Sequence, residues 1–262
     1  MSDRIPFTQL AEDARSGRVD VPDHWKQGRT AYGGLTAAVM LEAARASLPD
    51  LPPLRAALVN FTGPVAGAPA LSAEVLRQGR NVTTVSARAV EEGKTVGTAT
   101  FSFGASRDSS VGLDRPAPGA PAPQDCPPFM PPQFERFAPA FFGNFECALI
   151  EGERPVSGAE RGYLRAWARH RAPEARSGES ALLCLADILP PAAMPMLTKP
   201  GPVSSMSWIC NMLRDPDTRD GWYMVEAELS AARDGYSSQV MRIWNTDGQL
   251  VVEGMQSIVI FA

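Results

Sequence analysis

The segment YGGLTAAVMLEAARASL, residues 32–48, decides the fold. It is rich in helix-forming residues, carries one acidic and one basic side chain, and is followed by Pro49-Asp50. A helix with so little charge is expected to be enclosed by other elements. Four short runs rich in Val, Thr, Phe and Leu follow it, at residues 54–61, 70–77, 82–90 and 95–103. We therefore predict an α+β unit in which an antiparallel sheet curls around a buried helix.

The second half of the chain repeats this order of elements, which indicates a duplicated unit. Asn211-Met212 echoes Asn60-Phe61 at an offset of 151, and the Asp247-Gly248 turn echoes Glu92-Gly93 at an offset of 155. The asymmetry between the halves favours one functional site per chain, with ordinary surface variation as the alternative. At these offsets, three polar residues of the second half fall opposite neutral or apolar residues of the first: Asp187 opposite Thr36, Ser205 opposite Leu54, and Gln256 opposite Phe101.

A proline-rich segment divides the two units. Eight of the seventeen residues from Pro116 to Pro132 are proline, so neither helix nor sheet can propagate through them. We predict a first unit at residues 1–105, a linker at 106–133 and a second unit at 134–262. In the second unit we expect strands at 141–150 and 163–171, a helix at 180–197 that Pro190-Pro191 interrupts, and further strands from 203 to 261.

The composition predicts a soluble globular protein and excludes several classes of partner. With 262 residues and 44% hydrophobic content, the chain can bury a substantial core. A formal charge of −4 without a basic run argues against a nucleic-acid partner, since phosphate binding requires clustered Lys and Arg. The sequence shows no signal peptide and no membrane-spanning window, so we expect a cytoplasmic protein without membrane partners.

Motifs for metal binding and for the commonest hydrolases are missing from the sequence. The four cysteines are widely spaced, there is no CxxC, and only two histidines could join them, so no metal site is expected. A Cys-His nucleophile pair stays open beside the commoner role of cysteine as a buried, inert residue. There is no Gly-x-Ser-x-Gly elbow, Walker loop, GxGxxG or HExxH. His24 and His170 are interpreted as structural residues rather than general bases.

Asp187 is the strongest single candidate for a catalytic residue. It lies in LLCLADIL, residues 182–189, where an unpaired charge would be costly and therefore needs partners or a function. The alternative is a carboxylate at a helix end that reaches solvent through the proline kink. Ser205 and Gln256 are weaker candidates, because a serine at a strand start can satisfy backbone groups and period-two alternation lets Gln256 face either way.

Together these motifs resemble the acyl-CoA thioesterase II family, whose members fold as a double hotdog. The resemblance covers nearly the whole chain except the linker. It implies two tandem hotdog units, each with a long helix wrapped by an antiparallel sheet. Each motif is degenerate alone, and it is their order and the duplication that make the set specific. The motifs are YGG at 32–34, RQGRNVTTVSA at 77–87, FSF at 101–103, LAD at 185–187 and MQ at 255–256.

The resemblance implies hydrolysis of an acyl-CoA thioester to a free acid and CoA by an activated water. Coenzyme A would be part of the substrate, and no separate cofactor is expected. Asp187, Ser205 and Gln256 match the family's Asp, hydroxyl and Gln around that water, with Ser204 as the alternative hydroxyl. The residues after Ser205 lack the Asp-His pair of the best-known branch.

The resemblance also suggests residues for substrate binding. The backbone amides of Gly33 and Gly34 are suited to an oxyanion, and a plain helix start is the alternative. Arg80, in the Gly79-Arg80 turn, would meet a CoA phosphate near the entrance, and a solvated hairpin residue is the alternative. Because two hotdog units leave free sheet edges, we expect a homodimer.

Two other functions remain open at this point. A hotdog fold can host an enoyl-CoA hydratase-like lyase, which usually places His five residues after the Asp, whereas Ala192 stands at that position here. A catalytically silent acyl-CoA-binding protein is the third class, because fold does not fix function. Thiol release from acyl-CoA separates the thioesterase from both.

Overall fold

The computed structural model describes residues 4–261, which contain three α-helices, twelve strands and several 3₁₀ turns. The helices are α1 (Phe7–Arg15), α2 (Gly33–Ala46) and α3 (Glu179–Ala186). The strands are β1 (Lys26–Gln27), β2 (Thr30–Ala31), β3 (Leu54–Phe61), β4 (Ala70–Gln78), β5 (Thr83–Glu91), β6 (Lys94–Phe103), β7 (Phe145–Gly152), β8 (Tyr163–His170), β9 (Val203–Met212), β10 (Tyr223–Arg233), β11 (Tyr236–Asn245) and β12 (Leu250–Ile260). The 3₁₀ turns are Asp23–Trp25, Pro123–Asp125, Pro132–Phe137, Ala140–Asn144, Pro173–Ala175, Met194–Met196 and Arg219–Gly221.

Ten strands form one antiparallel sheet in the order β4-β5-β6-β3-β9-β12-β11-β10-β8-β7. The first unit supplies β4 to β3 and the second repeats that order in reverse from β9 to β10, so the units meet where β3 pairs with β9. At this junction Leu58 lies opposite Ile209. Helix α2 packs on β4, β5 and β6, while α3 packs on α2 and β8. The predicted α+β double hotdog is confirmed.

The first unit follows its sequence pattern closely. Every residue of α2 from Gly34 to Leu41 is buried, as expected for a helix that carries almost no charge. The four predicted strands match β3 to β6 within one residue at each end. Their alternating burial, with Val85, Ala87 and Ala89 directed into the core, fits a sheet that has one face on the helix layer.

Helices α2 and α3 touch at one unusually close point. A Cβ atom added to Gly34 would lie 2.2 Å from the Cys184 carbonyl oxygen, so only glycine permits this approach. The Tyr32 hydroxyl donates a hydrogen bond of 2.9 Å to the same oxygen, and its ring stacks on Phe141. The start of the first unit's helix is thereby fixed against the end of the second unit's helix.

The predicted helix at 180–197 is wrong beyond Ala186. Helix α3 ends there, Asp187 is its C-cap residue, and Met194–Met196 forms a separate 3₁₀ turn. Pro190 and Pro191 lack the backbone N–H groups that a continuing helix would need. In the same unit, the first part of the strand expected at 141–150 is the 3₁₀ turn Ala140–Asn144, and β7 begins only at Phe145.

The proline-rich segment lies along the second unit instead of hanging free. The indole N–H groups of Trp244 and Trp167 donate hydrogen bonds of 2.9 Å to the carbonyl oxygens of Arg115 and Pro121. The Ala117 N–H donates to Gly248 O at 2.9 Å. Both indoles belong to a small apolar cluster that packs against the segment's Ala117. We call residues 114–123 the strap, because they cover this part of the sheet.

The strand register shows which positions of the two units correspond. Ser205 pairs with Ile258 as Leu54 pairs with Phe103, and Gln256 pairs with Trp208 as Phe101 pairs with Ala57. The offsets of 151 and 155 are thus confirmed for these strands. The helices differ in length: they begin 146 positions apart, at Gly33 and Glu179, and end 140 positions apart, at Ala46 and Ala186, so their bounds set no single offset. Thr36 and Asp187, which are paired at the offset of 151, both line one cavity.

Candidate active site

A cavity of about 580 Å³ lies between the two units and contains the three candidate catalytic residues. The first unit contributes the start of α2 and the end of β3, and the second contributes the end of α3 and parts of β9 and β12. Asp187, Ser205 and Gln256 all line it. Apolar side chains make up most of the remaining wall: Phe61, Val65, Val96, Phe129, Met130, Phe137, Phe141, Phe142, Ile188, Leu189 and Met194.

Asp187 is held by both units. Its backbone leaves the helical conformation at the C-cap of α3, with φ −95° and ψ 12°, which turns the side chain towards the start of α2. The Gln256 Nε2 donates to Asp187 Oδ1 at 2.9 Å, and the Gly34 N–H donates a second hydrogen bond to the carboxylate. A Cβ atom at Gly33 would lie 2.6 Å from Asp187 Oδ2, so that glycine leaves room for the carboxylate.

The surroundings of Asp187 tune its acidity. Burial raises the pKa of the Asp187 carboxyl from 3.8 to about 7, while the hydrogen bonds from Gln256 and Gly34 act in the opposite direction. The N-terminus of α2 also places a positive helix dipole beside the ionised form. A carboxyl with this pKa can take up and release a proton near neutral pH, as a general base must. Asp187 does stand at a helix end, as the alternative expects, and its partly exposed side chain faces the cavity.

Gln256 joins Asp187 to Ser205. Its Nε2 atom donates to Ser205 Oγ at 2.9 Å as well as to Asp187, and its side chain is 3% exposed. Ser204, the alternative hydroxyl, is exposed, and its Oγ lies 3.4 Å from the carbonyl oxygen of Ser205. The hydroxyl in contact with the amide is therefore that of Ser205.

Gln239 is a buried polar residue that the sequence reasoning missed. It is 0% exposed, lies opposite Gln256 in the β11–β12 register, and donates from Nε2 to Gln256 Oε1 at 2.8 Å. A signal was present in the sequence, because Gln239 alternates with Met241 and Ile243, which are both buried. A glutamine on the inward face of a strand needs hydrogen-bond partners there.

Of the residues predicted to bind substrate, the two glycines lie at the site and Arg80 does not line the cavity. The structure brings Gly33 and Gly34 to the site, although the Gly34 amide is directed to Asp187. Arg80 is exposed in the turn between β4 and β5, next to the strand ends that pair with the start of β3. The cavity is lined by Phe61, at the other end of β3. Arg80 does not line this cavity, and its contact with a CoA phosphate stays a prediction.

The histidine and cysteine side chains do not form a nucleophile pair in this cavity. Burial lowers the pKa of His170 to about 4, and its Nε2 lies 2.9 Å from the Ala181 carbonyl oxygen, so it is a neutral packing residue. His24 Nε2 contacts the Ile5 carbonyl oxygen at 3.0 Å. Burial also raises the pKa of the Cys184 and Cys210 thiols well above its usual value, which keeps both protonated.

Metal and membrane features can be judged for the described part of the chain. Among residues 4–261, no group of three or more His, Cys, Asp or Glu side chains is arranged to hold a metal ion. Over the same range, no helix has the length and apolar character needed to cross a membrane.

Comparison with known proteins identifies the family. The sequence model of the acyl-CoA thioesterase N-terminal domain matches residues 21–104, and that of the acyl-CoA thioesterase C-terminal domain matches residues 123–260. No curated protein sequence matches the chain. The second match alone covers more than half of the chain, and the two occur in the order that the duplicated fold requires.

Solved structures share this fold over most of the chain. A conserved hot dog fold protein of unknown function from Alicyclobacillus acidocaldarius is 26% identical, with 94% of this chain and 92% of that chain covered and a TM-score of 0.83. A putative thioesterase II from Thermobifida fusca YX is 20% identical, with coverages of 94% and 92% and a TM-score of 0.77. The acyl-CoA thioesterase II TesB2 from Mycobacterium marinum is 19% identical, with coverages of 94% and 93% and a TM-score of 0.72. With the two domain matches, these observations place the chain in the acyl-CoA thioesterase family, as a thioester hydrolase.

Proposed function

We propose that the protein hydrolyses acyl-CoA through a water molecule that Asp187 activates and that Ser205 and Gln256 help to hold. The observation that carries this proposal is the amide of Gln256, whose Nε2 contacts Asp187 Oδ1 and Ser205 Oγ at 2.9 Å each inside the cavity. A base, a hydroxyl and an amide converging on one enclosed space are suited to hold and deprotonate water.

The reaction proceeds without a covalent enzyme intermediate in this proposal. The Asp187 carboxylate accepts a proton from water as the water oxygen bonds to the thioester carbonyl carbon. The resulting tetrahedral intermediate collapses, the carbon–sulfur bond breaks, and the proton on Asp187 passes to the CoA thiolate. The products are a carboxylic acid and CoA, and Asp187 returns to its ionised form. Its pKa of about 7 lets it act in both transfers.

The carbonyl oxygen becomes negative during the attack and needs donors. The first turn of α2 is the proposed source, since the N-terminal amides of a helix have no intrahelical partner and carry the positive end of the dipole. With the Gly34 N–H directed to Asp187, the Gly33 amide is the proposed oxyanion donor. Gly33 lines the cavity, and the missing side chain allows close approach.

The walls of the cavity fit an apolar acyl group. Five phenylalanine rings line it, together with methionine and branched aliphatic side chains, so burial of a hydrocarbon chain or ring is favourable there. Much of this wall comes from the segment between the two units and the 3₁₀ turns that follow it. We assign this wall to the acyl part of the substrate.

The proposal is tested with purified full-length protein and a panel of acyl-CoA esters of different chain length, branching and aromaticity. A free-thiol reagent reports CoA release, and chromatography reports the acid. Thiol release in step with acid formation supports the thioesterase. Hydration of an enoyl-CoA without thiol would indicate the lyase, and binding without turnover would indicate a silent acyl-CoA-binding protein.

We also propose a homodimer, since β4 and β7 are the edge strands of the sheet and pair outward, in the described residues, through one isolated bridge each, Arg18–Ala70 and Pro128–Ala148. Light scattering after size-exclusion chromatography measures the mass directly. A mass of one chain at micromolar concentration would contradict this part of the proposal.

A further inference from the structure

We propose that Gln239 is a positioning residue that fixes the orientation of the Gln256 amide and so makes Gln256 a hydrogen-bond donor to both Asp187 and Ser205. This inference rests on the proposed function, because it assigns a role in the same site. Gln239 itself lies behind Gln256 and does not line the cavity.

One backbone group beside Gln239 has a fixed hydrogen-bonding role. The Ala192 N–H, which can only donate, contacts Gln239 Oε1 at 2.7 Å. The oxygen of Gln239 must therefore face Ala192, and its amide nitrogen must face the other way. That nitrogen contacts Gln256 Oε1 at 2.8 Å.

The orientation of the Gln239 amide in turn fixes that of the Gln256 amide. Since the Gln239 nitrogen can only donate, the oxygen of Gln256 must accept, and the Gln256 nitrogen must face the cavity. Its two hydrogens then match its two contacts, Asp187 Oδ1 and Ser205 Oγ, each at 2.9 Å. In this direction the Ala192 N–H, the oxygens of Gln239 and Gln256, one Gln239 amide hydrogen and both Gln256 amide hydrogens each have a partner.

Burial favours one orientation of the Gln239 and Gln256 amides over the reverse. Ala192 and Gln239 are both 0% exposed and Gln256 is 3% exposed, so solvent does not offer alternative partners of equal quality. Reversing the Gln256 amide would set its Nε2 against the Gln239 Nε2, donor facing donor, and would set its Oε1 against the Asp187 carboxylate. Buried groups left without partners, and an oxygen facing a carboxylate, are both unfavourable.

The orientation of the Gln256 amide affects both Asp187 and Ser205. With Gln256 as donor, the carboxylate of Asp187 is stabilised in the ionised form that acts as base. The Ser205 oxygen is occupied as an acceptor, so its own hydrogen remains available to a water or to the substrate. A reversed Gln256 would remove both effects while keeping its side chain in place.

The series starts at the proline pair that follows α3. Pro190 and Pro191 have no N–H, and Ala192 is the first residue after them that can donate. Both prolines line the cavity close to Asp187. The turn that ends the helix therefore also supplies the donor that sets the direction of the two amides.

The test compares kinetics of the full-length wild-type protein with Gln239→Met, which keeps the side-chain length and removes both hydrogen bonds. We expect kcat to fall about tenfold with KM nearly unchanged, a loss of the size that one hydrogen bond to a charged site gives. The inflection of the pH profile of kcat/KM should move to higher pH. Gln78→Met, at the exposed end of β4, is the matched control and should behave as wild type.

A double-mutant cycle separates positioning from general loss of structure. If Gln239 acts through Gln256, then Gln239→Met should add almost nothing in a Gln256→Met background. Additive losses would overturn the proposal, as would a Gln239→Met enzyme that matches the Gln78→Met control. Should Gln239→Met not fold, Gln239→Glu keeps the shape and the acceptor for Ala192 but, once ionised, cannot donate to Gln256. It should lose activity as the pH rises, and full activity over the whole pH range would overturn the proposal.

A measurement without turnover distinguishes this inference from the proposed function. Carboxyl ¹³C NMR reports the Asp187 pKa directly, and Gln239→Met should raise it relative to wild type and to the Gln78→Met control. A raised pKa in a protein that hydrolyses no acyl-CoA would defeat the proposed function and leave the positioning role intact. An unchanged pKa in an active enzyme would defeat the positioning role alone.

Discussion

The Asp187 carboxylate occupies the space that a side chain at position 33 would need, because a Cβ atom there would lie 2.6 Å from Asp187 Oδ2. The neighbouring Gly34 meets a different obstacle, the Cys184 carbonyl oxygen at 2.2 Å. A side chain can move aside, whereas a backbone carbonyl in a packed helix cannot. The two glycines therefore separate an effect on activity from an effect on stability.

Gly33→Ala should lower kcat/KM by about 10- to 100-fold, because displacing a catalytic group by a fraction of an ångström misaligns it with the substrate. Gly34→Ala should instead lower the free energy of unfolding by about 1–3 kcal/mol or more, since α2 and α3 must separate. Thiol-release kinetics and urea unfolding measure the two effects. Gly112→Ala, with nothing within 4 Å of the added carbon, is the control. Equal effects of both variants on stability would contradict the distinction.

Asp187→Asn should remove the general base and leave the fold intact. We expect kcat/KM to fall by about 10²- to 10⁴-fold, the usual contribution of general acid–base catalysis. The circular dichroism spectrum should match wild type, because the amide can still accept the hydrogen bond from Gln256. Turnover close to the wild-type rate would rule out Asp187 as the base.

The pH–rate profile should report the same carboxyl. Because only the ionised form of Asp187 accepts a proton, kcat/KM should rise with pH through an inflection near the pKa of about 7. The hydrogen bond from Gln256 lowers that pKa, so Gln256→Met should shift the inflection to higher pH. An inflection near the ordinary carboxyl value, or a shift in the other direction, would contradict the assignment.

Stability should depend on pH through Asp187 with a definite sign. The pKa is raised in the folded protein, so the folded state holds this proton more tightly, and the stabilisation is lost as pH rises from about 4 through about 7. Asp187→Asn removes this dependence. Its free energy of unfolding should match wild type near pH 4 and exceed it near pH 8 by at most about 4 kcal/mol. Urea unfolding at both pH values gives the difference, and a variant that is less stable at the higher pH would refute this prediction.

The strap should become more mobile when an indole that donates a hydrogen bond to it is replaced. Trp244→Phe removes the hydrogen bond to Arg115 O, so backbone amides of residues 114–123 should exchange with deuterium faster. Trp208→Phe is the matched control, because the Trp208 indole N–H has no partner among the described residues. Mass spectrometry of peptic fragments measures the exchange. Unchanged exchange in the strap of Trp244→Phe would show that the hydrogen bond from Trp244 does not hold it.

The parts of the fold that sequence reasoning recovered have strong local signals. The apolar helix α2 and strands β3 to β6 follow from hydrophobic periodicity and turn residues within short windows. Asp187 stands out because a charge within an apolar run is costly to bury. The register of the duplicated strands follows from the repeat itself, which is why Ser205 and Gln256 fall opposite Leu54 and Phe101 in the structure as in the sequence.

The parts that sequence reasoning missed depend on contacts between distant segments. The end of α3 at Ala186 is an exception, because Pro190 lacks the N–H that the Ala186 carbonyl would accept in a continuing helix, and the predicted span 180–197 does not apply this local rule. The strap packs on Trp167 and Trp244 by contacts that no local pattern encodes. Gln239 looks like any polar residue in a strand until its neighbour across the sheet is known to be Gln256.

The correspondence between the two units gives the active site a thermodynamic meaning. In the first unit, Leu54, Val85 and Phe101 occupy the paired positions and are at most 1% exposed. The second unit has Ser205, Gln239 and Gln256 in the matching register. Each buried apolar side chain contributes about 1.5–3 kcal/mol, more than a buried hydrogen bond adds. The active site thus has polar side chains where the first unit has buried apolar ones. Because the two units share one sheet, the apolar core of the first unit offsets the stability that the polar site costs the second.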